Sequence, residues 1–242
     1  MEEQIQLTTS DNHLIYGTLN YQQESKKTLL IFVHGLTGSQ NEHLCFNAVP
    51  FFTSRNFDTF RFDLYSSRKQ GRKLSECDIS THWADLNMVL DNFKDKYQNI
   101  ILIGHSLGVP TILQSNYNNI DQVTKIVLWD PTRGLLDLNS RSIVYYPQLK
   151  KYIWHKSKEV LLSESMVKEW KAVSDIKSQI EKITKPCKFI FAGDHYCYDA
   201  WKPFLPEISV ASKVSIIPNA THVFYEEGTE KILFEETLSW IQ

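Results

Sequence analysis

Five short runs constrain this chain most: TLLIFV (Thr28 to Val33), DTFRFDL (Asp58 to Leu64), NIILIG (Asn99 to Gly104), KIVLWD (Lys125 to Asp130) and CKFIFAG (Cys187 to Gly193). Each is nearly continuous in apolar residues, a pattern expected of strands covered on both faces, as in a parallel sheet packed between helices. Between the second and third runs Ile79, Trp83, Leu86, Leu90 and Phe93 recur at steps of three and four, and Asp78 or Ser80 is placed to cap the start. That spacing predicts an amphipathic helix. The stretch IQLTTSDNHLIYGTLNY predicts two strands about an Asp11-Asn12 turn, and near the end KVSIIP is followed by a helical EKILFEETLSWI. Repeated alternation of strand and helix gives an α/β fold with a mostly parallel central sheet and helices on both faces. Ligands on such sheets sit at the carboxyl ends of the strands.

One segment breaks the alternation. Residues 133–185 are polar, carry Tyr145, Tyr146, Tyr152, Trp154 and Trp170, and read as mostly helical in their second half. They are expected to form a lid-like insertion over one end of the sheet. The 242 residues suffice for one large domain and are short for two, so residues 1–242 are read as a single domain.

Composition narrows the partners. With 42% hydrophobic and 22% charged residues and a net charge of −2, the chain has no basic footprint for nucleic acid or an anionic membrane. No window approaches the roughly 18 apolar residues of a spanning helix, and MEEQIQLTTS lacks the apolar core of a secretory signal. Cys45, Cys77, Cys187 and Cys197 have no metal-ligand spacing and are expected to stay reduced, so a cytoplasmic location is the default.

The chemistry is concentrated at strand ends. GHSLG follows NIILIG directly and precedes VPTILQSNY, a plausible helix. A serine nucleophile on a sharp strand-to-helix turn is held in strained geometry, and the turn leaves no room for side chains two residues to either side. Gly104 and Gly108 occupy both places, so Ser106 is the candidate nucleophile. FVHGLTG, at the end of another strand, is a glycine-bearing loop able to aim backbone N–H groups at a developing oxyanion. The donors expected are the Leu36 and Leu107 amides. A serine also needs a base, and of eight histidines His222, in IIPNATHVF, lies on a loop at the sheet end where Ser106 belongs.

Taken in order, HGLTG, TFRFDL, ISTHWADLNMVLDNF, NIILIGHSLG, IEKITKPCKFIFAG and NATH resemble the α/β-hydrolase superfamily. Within it the chain is most similar to the serine-aminopeptidase-like and monoacylglycerol-lipase-like branch that includes cinnamoyl (feruloyl) esterases. The resemblance spans nearly the whole chain outside residues 133–185, which match the family's lid in position only. It implies Ser106 as nucleophile, His222 as base, Leu36 and Leu107 as oxyanion donors, and no cofactor or metal. Three departures stand out: Val109 where relatives have a further glycine, a bulky LYSSRKQGRK after the second strand, and Tyr196 where relatives place the catalytic acid. Asp194, immediately after the strand, is the first candidate for that acid, with Asp199 the alternative and Asp130, after the preceding strand, the remaining one.

The expected activity is hydrolysis of a small-molecule carboxylic ester through a Ser-His-Asp acyl-enzyme. An acyl-thioesterase or acyltransferase would use the same groups. An inactive α/β-hydrolase-fold binding module is the reading from another class, motivated by the displaced acid.

Overall fold

The computed structural model describes residues 1–22, 27–135, 142–155 and 158–242. In chain order the elements are β1 (Glu2–Thr8), β2 (Leu14–Asn20), β3 (Thr28–Val33), α1 (His43–Thr53), β4 (Asp58–Phe62), α2 (Ile79–Phe93), β5 (Asn99–His105), α3 (Gly108–Gln114), β6 (Val123–Trp129), β7 (Ile143–Tyr146), β8 (Lys151–His155), β9 (Glu159–Leu162), α4 (Glu164–Ala172), α5 (Ile176–Ile180), β10 (Cys187–Ala192), α6 (Cys197–Trp201), β11 (Ser212–Ile217) and α7 (Thr229–Ile241). The main sheet runs β1-β2-β4-β3-β5-β6-β10-β11. β1 pairs antiparallel with β2, and β2 with β4, and every pairing from β4 to β11 is parallel.

Strand alternation sorts the apolar runs onto two faces. Leu29, Ile31 and Val33 of β3, with Ile100 and Leu102 of β5, pack beneath Leu86, Leu90 and Phe93 of α2 and Val109 and Ile112 of α3. Leu30, Phe32, Ile101, Ile103, Val127 and Trp129 face the other way, against Leu44, Ala48 and Phe52 of α1 and Leu233 and Phe234 of α7. This is why the runs carry no polar alternation. Asp78 caps α2 as expected, its carboxylate accepting the Thr81 N–H at 2.7 Å.

The 133–185 segment holds more than helices. α4 and α5 lie in its second half, as the sequence predicts, but its first half folds into a separate antiparallel sheet, β7-β8-β9. Ile143, Leu162, Met166, Val167 and Trp170 of this segment form a third cluster with Cys77, Ile79 and Leu107. The insertion therefore packs against the residue that follows Ser106. Among the described residues no helix is long and apolar enough to cross a membrane, and all four cysteines are buried and free.

Candidate active site

β5 ends in the turn that carries Ser106, whose φ of +54° lies in the left-handed region that non-glycine residues seldom occupy. Close packing enforces the turn. A Cβ on Gly108 would lie 2.1 Å from the Val33 carbonyl oxygen, and one on Gly104 would lie 2.7 Å from Ile112 Cδ1 and 3.0 Å from the Gly108 carbonyl. The Ser106 N–H is fixed by the Trp129 carbonyl of the neighbouring strand at 3.0 Å. Gly108→Ala should therefore push α3 away from β3, costing about 1–3 kcal/mol of stability and displacing the Leu107 amide. Thermal melts and ester kinetics should show a lower Tm and a lower kcat together, and a variant that melts and turns over like the parent would contradict the packing argument.

His222 lies on the loop between β11 and α7. Its Nε2 is 2.8 Å from Ser106 Oγ and its Nδ1 is 2.5 Å from Asp130 Oδ2. The backbone of this loop is tied to the turn, because His105 Nε2–H donates to the His222 carbonyl at 2.8 Å. Burial lowers the His105 imidazole to about 3, so it acts as a neutral donor.

The carboxylate that meets His222 is that of Asp130, and not that of Asp194 or Asp199, the two candidates placed first from the sequence. Asp194 and Asp199 are exposed, and Asp194 contributes to this end of the sheet through its N–H, which donates to the Ala220 carbonyl at 2.9 Å. Asp130, at the end of β6, is fully buried. Its N–H donates to the Ile190 carbonyl at 2.8 Å, and its Oδ1 accepts the Ala192 N–H at 3.1 Å, leaving Oδ2 for His222. Burial alone would raise the carboxyl, but contact with His195 and His222 outweighs it and holds Asp130 below the usual carboxylate range.

His195 is the residue that sequence reasoning missed. Its Nδ1 lies 2.6 Å from the same Asp130 Oδ2, and its ring centroid is 4.4 Å from that of His222. The one available signal was its place immediately before Tyr196, where relatives carry the acid.

The loop after β3 approaches the serine from the other side. A Cβ on Gly35 would lie 3.0 Å from Ser106 Cβ. His34 is buried beneath the loop and holds it, its Nδ1 lying 2.8 Å from the Gly35 carbonyl and its Nε2 accepting the Leu64 N–H at 3.1 Å. The Leu36 and Leu107 amides have no acceptor among the described residues, and both residues border the cavity at Ser106. That cavity is about 560 Å³, the size of a small-molecule site. Trp154 and Trp170 of the insertion form part of its wall, with rings in edge contact at 5.2 Å. Tyr145 and Tyr152 instead pack on each other, and Tyr145 bonds the Glu164 carboxylate at 2.7 Å.

A mostly parallel sheet with a serine on a strained turn, faced by a histidine and a buried aspartate from neighbouring strand ends, defines a hydrolase-type α/β fold. The chain belongs to the alpha/beta hydrolase family, whose pattern it matches over residues 30–232. No curated protein matches it by sequence. Among solved structures it is similar to Est1E from Butyrivibrio proteoclasticus, determined with ferulic acid bound, at a TM-score of 0.77 and 19% identity over 98% of this chain and 99% of that one. It is also similar to alpha/beta hydrolase domain-containing protein 10 from mouse (TM-score 0.74, 16% identity, 99% and 98% covered) and to dienelactone hydrolase from Anabaena variabilis (TM-score 0.70, 15% identity, 99% and 96% covered). At these identities the likeness is one of fold.

Proposed function

We propose that the protein is a serine hydrolase that cleaves small carboxylic esters through an acyl-enzyme, with Ser106 as nucleophile, His222 as general base and Asp130 as the orienting acid. The observation that carries this reading is the continuous line Ser106 Oγ, His222 Nε2, His222 Nδ1, Asp130 Oδ2, with both contacts at hydrogen-bond length. In the reaction Ser106 Oγ attacks the ester carbonyl while its proton passes to His222 Nε2. The oxyanion is received by the Leu36 and Leu107 N–H groups, and the same proton then leaves with the alcohol. Water repeats the sequence to release the acid. Asp130 keeps the proton of His222 on Nδ1, so that Nε2 is free to accept. The displaced acid was the motive for reading the chain as a binding module, and a buried carboxylate at His222 Nδ1 removes that motive.

Residues 133–185 act as the lid of a single domain and supply the acyl wall. Trp154 and Trp170 favour flat aryl or medium-length acyl groups over long chains. A fluorophosphonate should modify the native protein at Ser106 and leave the heat-denatured protein unlabelled, with peptide mapping as the check. Labelling at another residue would refute the assignment. Among p-nitrophenyl esters kcat/KM should peak at aryl or medium acyl groups, and a peak at long chains would refute the role given to the tryptophans. Faster turnover of acyl-CoA than of these esters would make the protein a thioesterase.

A further inference from the structure

Asp130 meets two imidazoles, and ester hydrolysis employs only one of them. His195 Nδ1 is buried and sits 2.6 Å from Asp130 Oδ2, yet no hydrogen bond of good geometry satisfies it. Cys197, the first residue of α6 and two residues further on, brings its buried sulfur to the same place. One donor atom from each of Asp130, His195, Cys197 and His222 lies within 4.8 Å of the other three. His195 and His222 keep 14% and 30% of their side-chain surface exposed, and all three residues other than Asp130 border the cavity, which gives a cation a way in.

We propose that these four side chains form an inhibitory site for a zinc-type divalent cation on the acid side of His222. Cation binding stands independently of the ester-hydrolase reading, and only the inhibition rests on it. Two imidazole nitrogens, a sulfur and a carboxylate make a borderline-soft, four-donor set that suits tetrahedral zinc and not magnesium or calcium, which take oxygen shells. Zinc-to-donor distances of about 2.0–2.3 Å correspond to donor separations of roughly 3.3–3.8 Å in a tetrahedron. The two histidine contacts to Asp130 open by about 1 Å to reach that spacing, a displacement within reach of small ring rotations.

The proton balance explains the inhibition. Zinc takes the place of the Cys197 thiol proton, which is released to solvent, so the dication is neutralised by one thiolate and one carboxylate. At His222 the metal takes the Nδ1 lone pair, and the ring proton moves to Nε2. An Nε2–H facing Ser106 Oγ cannot accept the serine proton, so the nucleophile stays protonated while the fold is unchanged.

Cobalt(II) bound to Ser106→Ala, which has no hydrolysis to interfere, supplies the test. One equivalent should give tetrahedral visible bands with a thiolate-to-cobalt charge-transfer band, and added zinc should abolish both. Loss of a ligand should cost more than the roughly 10–100-fold in affinity that loss of a ligand's hydrogen-bond partner costs. The charge-transfer band should therefore be absent in Ser106→Ala/Cys197→Ala, and Ser106→Ala/His195→Gln should need at least about tenfold more cobalt. In the active enzyme zinc should stop ester hydrolysis and EDTA restore it, and Cys197→Ala, with its rate normalised to its own metal-free value, should need at least about tenfold more zinc for inhibition. No cobalt spectrum in Ser106→Ala, or equal zinc sensitivity in the parent, Cys197→Ala and His195→Gln, would overturn the site. An absence of esterase activity with the cobalt spectrum intact would overturn the proposed function and leave the site standing.

Discussion

Asp130→Asn should lower kcat for ester hydrolysis by on the order of 10⁴ while Asp194→Asn and Asp199→Asn turn over almost as the parent does. The asymmetry comes from what surrounds the carboxylate. Oδ1 of Asp130 accepts the Ala192 N–H, so an asparagine there must place its carbonyl on that side and its NH2 toward His222. Facing a donor, His222 Nδ1 becomes an acceptor, its proton moves to Nε2, and the base can no longer take the serine proton. Asp194 and Asp199 are exposed, and neither carboxylate contacts His222. Steady-state kinetics with circular dichroism as a control on folding make the comparison. A crippled Asp194→Asn beside a near-normal Asp130→Asn would reverse the assignment.

Ser106→Ala should remove activity by about 10⁶ in kcat, since in the proposed triad each member acts as part of a unit whose loss is barely worsened by further deletions. The same position should show the reverse trend in stability. With φ at +54°, Ser106 sits where a side chain strains the backbone by about 1–3 kcal/mol, and glycine occupies that region freely. Ser106→Gly should therefore be as inactive as Ser106→Ala and melt at a higher temperature than the parent. Residual turnover in either variant near the parental rate would remove Ser106 from the reaction. A Ser106→Gly protein less stable than Ser106→Ala would show that the turn is unstrained.

Most of the architecture was legible because it is written in periodicities. The strands from β3 to β10 in the main sheet coincide with the apolar runs, since residues alternating to two buried faces leave no polar position to blur the signal. The small sheet β7-β8-β9 was not legible. Its strands are four or five residues long, the first two carry Tyr146, Lys151 and Tyr152 at half-exposed positions, and Pro147 stands between them, so neither the period of a strand nor that of a helix stands out. That Ser106 and His222 lie side by side was readable because each is bound to a local pattern, a glycine-flanked turn and a strand-end loop.

The carboxylate partner of His222 was harder to read for a reason of topology. Asp130 and Asp194 are 64 positions apart in the sequence, but β6 and β10 are adjacent parallel strands, and both aspartates leave the sheet at the same end. Local sequence places each at a strand exit equally well. Choosing between them requires knowing which carboxylate turns beneath the β11–α7 loop, and that depends on the burial of Asp130 against Ile190 and Ala192. His195 was hidden in the same way, since its neighbour Asp130 is remote in sequence.

The tie from His105 to the His222 carbonyl affects how motion reaches the reaction. Loops at strand ends fluctuate more than the strands they join, and an imidazole carried only by such a loop would see its separation from the serine rise and fall with every excursion. Here the ring of the last β5 residue grips the backbone of His222, while the next residue along that strand exit is Ser106. The two ends of the proposed proton transfer are therefore tied to one strand end in the centre of the sheet. An excursion of the β11–α7 loop therefore pulls against the same strand end that carries Ser106, which restrains the 2.8 Å separation of Nε2 and Oγ.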